Sequence, residues 1–287
     1  MASVFCIHGR AQNLYAQTEA EAEAPHYWET DAAAPRGVVL VVHGLNLKPS
    51  KMGSPDADGT LVHLLLAAGW HVYRVTLHGH AGGVEEMRSV TRADWLRGAY
   101  TQYNEAKAHA ETARLPLYLL GFSLGALVYE VLMHEEPPVR FDKAILFSPA
   151  LAIRPAAKSL LWLSPFSGDS AIIPSASPSA YRAQSGASIA AYKAVFGMEE
   201  ELCAASFRNC DIKTIVFIDK DDEMISAGLL RERIARYKLT NWTIHEISAS
   251  GGVIRPRYHH LLVDASCVSA AVWQYIGQTI TGFLGSP

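Results

Sequence analysis

Gly121-Phe122-Ser123-Leu124-Gly125 carries the residue types of a serine nucleophile. The apolar run Leu117-Tyr118-Leu119-Leu120 precedes it and the amphipathic run Ala126-Leu127-Val128-Tyr129-Glu130-Val131-Leu132 follows. Between a strand and a helix, G-x-S-x-G makes a turn so tight that the serine backbone is strained and its Oγ exposed. The helix then aims free N–H groups at any anion forming beside the serine. A serine hydroxyl is a weak nucleophile at neutral pH and needs a base, most often an imidazole oriented by a carboxylate. Two later segments offer these groups: Asp219-Lys220-Asp221-Asp222-Glu223-Met224-Ile225-Ser226, and Arg257-Tyr258-His259-His260-Leu261-Leu262-Val263-Asp264. The chemistry this implies is acyl transfer to serine and then to water.

Such groups must be delivered to one place by the elements before them. The stretches 37–42, 70–75, 117–120, 144–147, 214–218 and 243–247 are short, apolar or β-branched, and bounded by Gly, Pro, Asp or Ser, so they read as strands. Several are apolar throughout, as expected for strands covered on both faces. Helical patterns alternate with them. Leu61, Leu64, Leu65 and Ala68 recur at helical spacing before Gly69, and Thr91 with Asp94 opens a second helix to about Ala113. Further helices are expected at 124–134, 227–237 and 268–283. Strand–helix alternation predicts an α/β fold with a mostly parallel central sheet and helices on both faces. His26-Tyr27-Trp28-Glu29 is expected to add one or two leading antiparallel strands, and 19–24 a solvated loop or short helix.

One connection is too long. Sixty residues, 151–210, separate two strands expected to be neighbours in the sheet. The segment starts apolar, turns rich in Ser, Pro and Ala over 164–188, and ends helical. It is read as an inserted lid on a core made of 1–150 and 211–287. Trp162, Leu163 and Phe166 are its candidate substrate contacts, having no other evident reason to sit in an insertion.

Taken in order, His43-Gly44 after the first long strand, the Ser123 turn, the acidic loop and the late histidine resemble the α/β-hydrolase family, in particular its monoacylglycerol-lipase and carboxylesterase-like branches. The resemblance spans most of 36–284 and implies a Ser-Asp-His triad in the chain order nucleophile, acid, base. Ser123 matches the nucleophile. Asp222, followed by Ser226 as cap of the next helix, matches the acid, with Asp219 and Asp221 as fallbacks. His259, with Leu261 two residues on and Asp264 five on, matches the base, and His260 is one residue out of that spacing. The oxyanion is expected to meet the backbone N–H groups of Leu124 and Leu45. His43 reads as shaping that loop, Asn46 as a turn residue, and Arg255 and Arg257 as solvated charges.

Composition narrows the classes further. A net charge of −3 and a pI near 6.5 give no reason to expect nucleic acid. No apolar run reaches a bilayer span, and the first ten residues lack a signal-peptide pattern, so a cytoplasmic protein with no integral membrane segment is expected. Cys6, Cys203, Cys210 and Cys267 form no C-x-x-C pair and read as free thiols, a Cys203–Cys210 disulfide staying open for an exported protein. His78-Gly79-His80 lacks an H-E-x-x-H context, so neither metal nor cofactor is expected. The expected activity is hydrolysis of a monoglyceride, lysophospholipid or small lipophilic ester through an acyl-enzyme. A thioesterase or acyltransferase would use the same triad, and a non-catalytic ligand receptor is the alternative from another class. The oligomeric state is left open.

Overall fold

In the computed structural model, which describes residues 21–159, 168–207, 209–253 and 258–286, seven strands form one sheet. In chain order the elements are β1 (His26–Trp28), β2 (Val38–Val42), α1 (Leu61–Ala67), β3 (His71–Val75), α2 (Val84–Ser89), α3 (Arg92–Ala113), β4 (Leu117–Phe122), α4 (Leu124–Leu132), β5 (Lys143–Phe147), α5 (Pro155–Lys158), β6 (Ile172–Pro174), β7 (Gly186–Ser188), α6 (Ile189–Ala204), β8 (Lys213–Asp219), α7 (Ala227–Tyr237), β9 (Trp242–Ile247) and α8 (Ala270–Gly285). The sheet order is β1-β3-β2-β4-β5-β8-β9, with β1 antiparallel to β3 and every other pair parallel.

Strand β2 shows why this sequence makes a two-sided sheet. All five of its residues are buried. Because side chains alternate across a strand, Val38, Leu40 and Val42 enter the core beneath α3, α4 and α6, while Val39 and Val41 enter the one beneath α1 and α8. The helix ends are fixed locally. Thr91 and Asp94 form the expected reciprocal capping box, and the Ser226 hydroxyl accepts the Leu229 N–H at the start of α7.

The strand order locates the site. From β2 the chain moves outward to β3, then crosses back to β4 on the other side of β2 and continues to β5. A sheet whose connections diverge in this way opens a crevice at the carboxyl ends of the two strands at the reversal. Val42 pairs with Gly121 there, so the loop after β2 and the turn after β4 leave the sheet side by side. Asp219 ends β8, two strands further along.

The strands and long helices fall where the sequence places them. A single leading strand, β1, is found. The short helices α2 and α5 were not anticipated, nor was a hairpin of β6 and β7 inside 151–210, where the composition reads as loop. Each of those strands has three residues, too few for an alternation to register. Helix α6 realises the helical end of this insertion, with Ser188 capping it and its face packed against α4, the helix that follows Ser123. Cys203, Cys210 and Cys267 are free thiols, so the Cys203–Cys210 disulfide is not formed. Among the described residues no helix is long and apolar enough to cross a membrane.

Candidate active site

Ser123 has φ +50° and ψ −111°, a conformation L-residues rarely adopt, and caps the start of α4. The two glycines make this possible by close approach. A Cβ on Gly121 would lie 2.7 Å from the Ala126 Cα, and one on Gly125 would lie 2.6 Å from the His43 carbonyl oxygen. The Ser123 N–H donates to the Phe147 carbonyl at 3.0 Å, which fixes the turn to the neighbouring strand end.

Ser123 Oγ lies 3.0 Å from Nε2 of His260. The other nitrogen of that ring, Nδ1, is 2.9 Å from Oδ2 and 3.1 Å from Oδ1 of Asp222. An Nδ1–H donated to this carboxylate leaves Nε2 free to accept the serine proton, the tautomer that general-base chemistry requires. Asp222 is fully buried, and its Oδ1 also accepts the Met224 and Ile225 N–H groups, each at 2.8 Å. Burial alone would raise its pKa. The His260 charge, the bond from that ring and the Ile225 amide outweigh burial and hold the carboxyl below its ordinary value.

The histidine facing Ser123 is therefore His260, and the expectation of His259 is corrected. His259 turns its Nδ1 to Oδ2 of Asp219 at 3.0 Å, a bond that raises the pKa of the imidazole. Consecutive residues of a turn project in different directions, so only one of the pair can reach the serine. The acidic landmark that favoured His259 has another task, since Asp264 accepts the Tyr181 hydroxyl at 2.6 Å and the Ser266 N–H. Asp219 is buried and also accepts the Asp221 and Ala249 N–H groups, so neither it nor the exposed Asp221 serves His260. Asp219, Asp221 and His259 bring three ligand-type atoms within 4.8 Å of one another, but the imidazole is already engaged by Asp219.

Leu45 and Leu124 line the same cavity as Ser123 and His260. The loop bearing Leu45 is set by two buried histidines whose rings lie 4.5 Å apart. His43 Nε2 accepts the Leu77 N–H at 3.0 Å, and His80 Nε2 accepts the Asn46 N–H at 2.9 Å. Burial lowers the pKa of both, His80 to about 4, so both are neutral acceptors at pH 7. His80 is thus a loop anchor. Asn46 has φ +55°, and its side chain donates to the Gln184 carbonyl and accepts the Gln184 N–H, tying the loop to the insertion.

The cavity over Ser123 has a volume of about 430 Å³ and a mainly apolar wall. Its insertion side includes Ile173, Tyr192, Val195 and Phe196, and its core side includes Met224, Ile225 and Tyr258. Trp162, Leu163 and Phe166, and also Arg255 and Arg257, lie outside the described residues. The α6 contacts were missed in sequence. The signal was present in Tyr192, Val195 and Phe196 at i, i+3 and i+4, which places them on one helix face.

Residues 33–230 match the model of the serine aminopeptidase, S33, family. The chain belongs to this family. It is an α/β-hydrolase, lipase- and esterase-like in fold. A structure of the metagenome-derived lipolytic enzymes LipS and LipT superposes with a TM-score of 0.67 at 18% identity, over 92% of this chain and 98% of that one. Monoglyceride lipase from Saccharomyces cerevisiae, solved with a substrate analogue, gives 0.66 at 13% identity over 91% and 90%. Monoacylglycerol lipase from Paleococcus ferrophilus gives 0.64 at 17% identity over 91% and 97%. Among curated protein sequences no significant match is found.

Proposed function

We propose that the protein cleaves carboxylic esters with a lipophilic acyl group, through an acyl-enzyme on Ser123. The observation that carries this reading is the unbroken chain Ser123–His260–Asp222 opening into the apolar cavity. His260 takes the serine proton as Oγ attacks the ester carbonyl, and Asp222 holds the ring in its tautomer and supports its positive charge. The oxyanion is received by the N–H groups of Leu124, at the start of α4, and Leu45, in the loop held by His43 and His80. Losing one such donor costs on the order of 100- to 1,000-fold in turnover. His260 then protonates the leaving alcohol, and later deprotonates the water that releases the acid.

The insertion acts as a lid in this reading. Phe196, Val195 and Ile173 face the site from it, and a cavity of about 430 Å³ has room for a short or medium acyl chain. The named lipases and lipolytic enzymes of the same fold are consistent with such a substrate.

Hydrolysis of p-nitrophenyl esters from acetate to palmitate, on wild type and Ser123→Ala together, tests the proposal. Turnover abolished by the substitution and greatest beyond acetate supports it. A maximum at acetate removes the lid's role in chain binding. No wild-type turnover and no labelling by a fluorophosphonate would overturn the ester-hydrolase reading.

A further inference from the structure

Two adjacent histidines stand where one base is needed, and the acidic loop holds both. Asp219 takes the His259 ring at 3.0 Å, and Asp222 takes the His260 ring at 2.9 Å. Glu223 reaches the backbone between them: the His259 N–H donates to its Oε1 at 2.9 Å and the His260 N–H to its Oε2 at 3.0 Å. Both carboxylate oxygens of Glu223 are thus engaged by successive amides of the segment that carries the base. This two-pronged contact fixes the rotation of the backbone about the His259–His260 junction, and with it which ring is presented to Ser123.

We propose that Glu223 and the Asp219–His259 pair are positioning residues for His260, a clamp that selects the register of the base. The inference rests on the serine-hydrolase reading above. A slip of one residue would exchange the two rings, and each part of the clamp opposes it. The Asp219 oxygens also accept the Ala249 and Asp221 amides, so the carboxylate is anchored where it holds His259 away from the cavity. Asp222 is fixed likewise by Met224 and Ile225. The acid loop is in turn tied to the start of the insertion, where Arg154 donates its N–H to the Met224 carbonyl and its Nε–H to the Asp222 carbonyl, at 2.8 and 2.7 Å. Neither Asp219 nor His259 is among the described residues lining the cavity, so changes there leave substrate contacts in place.

The test compares Glu223→Gln, Glu223→Leu, Asp219→Asn and His259→Gln with wild type and Ser123→Ala. Turnover is expressed per active serine titrated with a fluorophosphonate, which removes any misfolded fraction. For Glu223→Leu, kcat is expected to fall about 10- to 100-fold, the loss associated with an ångström-scale misplacement of a reacting group. KM should stay within about threefold in Asp219→Asn and His259→Gln, because neither residue lines the cavity and uniform substrate binding is untouched. Glu223 does line it, and its variants are judged on kcat and on the resonance below. Glu223→Gln keeps one acceptor oxygen and should lose less, and His259→Gln should lower kcat in the same sense. A readout independent of turnover is the downfield proton resonance of His260 Nδ1–H in the free enzyme, expected to weaken or vanish in Glu223→Leu. Unchanged kcat per titrated serine with the resonance in place would overturn the clamp. A wild type without turnover would instead condemn the ester-hydrolase reading, and the resonance would still decide on the clamp.

Discussion

Asp222→Asn replaces one oxygen with an NH₂ group, and the structure dictates which one. Asp222 Oδ1 accepts two backbone amides, from Met224 and Ile225, each at 2.8 Å. An asparagine keeps both bonds only by placing its carbonyl oxygen there, since an NH₂ group facing two N–H donors would leave three donors without an acceptor. The NH₂ group is then forced into the Oδ2 position, 2.9 Å from His260 Nδ1. It donates to that nitrogen and drives the ring proton to Nε2, where it faces Ser123 Oγ and cannot accept the serine proton. The variant should fold, because the loop's backbone bonds survive, but hold the wrong tautomer. By analogy with a triad aspartate changed to asparagine, kcat should fall about 10⁴-fold, or about 5 kcal/mol of transition-state stabilisation. KM should change little. Steady-state hydrolysis of the best p-nitrophenyl ester at pH 7.5 measures this, with thermal unfolding as the fold control. A loss below about tenfold with the fold intact would refute the reasoning.

Gly125→Ala is expected to cost about 1–3 kcal/mol and lower Tm by several degrees, because its Cβ would press on the His43 carbonyl and the Val42 side chain, which cannot yield within the central strand. Calorimetry of the variant checks this. Phe196→Ala should enlarge the cavity from the insertion side and move the preferred p-nitrophenyl ester to longer chains, read as kcat/KM across the series. Glu130, fully enclosed in α4, has its carboxyl pushed by burial up to about 8. A carboxyl raised above its unfolded value leaves the folded state holding more protons, so its contribution to stability falls as pH rises from about 4.5 to about 8. Glu130→Gln removes that dependence, and Tm measured from pH 5 to pH 8 should show the variant gaining on wild type as pH rises.

The parts legible in sequence are those governed by short-range rules. The all-apolar Val38–Val42, the G-x-S-x-G turn and the Thr91–Asp94 box each declare their structure within a few residues, and the order of the landmarks declares the fold. The choice between His259 and His260 is of a different kind. It depends on which way the backbone turns after residue 258, and that is set by Glu223 and Asp219, more than thirty residues earlier. Spacing to Asp264 misled because Asp264 is bound to Tyr181, a contact from the insertion that no local pattern announces. The β6–β7 hairpin escaped notice for a similar reason. Its strands gain their definition from pairing with each other and from Ser188, whose hydroxyl donates to the Met87 carbonyl.

These long-range contacts converge on a single mechanical arrangement. Besides the Tyr181–Asp264 bond, the insertion reaches the site's loops at two further places. At its start, Arg154 donates to the Met224 and Asp222 carbonyls, and the Ala152 carbonyl accepts the Ser226 N–H, so the acid loop is bonded to the strand-like entry of the insertion. Further along, Gln184 and Ala183 bind Asn46 through its side chain and its carbonyl, so the loop bearing Leu45 is bonded there as well. The insertion is therefore a brace for both the carboxylate and the proposed oxyanion loop, besides forming a wall of the cavity. Within it, Glu199 accepts the Ile153 N–H at 3.0 Å and the Arg233 guanidinium at 2.6 Å, locking α6 to that entry and to α7. Excising 151–210 would remove the partners of both loops together. Any displacement of the insertion would therefore act on the alignment of Asp222 through the same bonds.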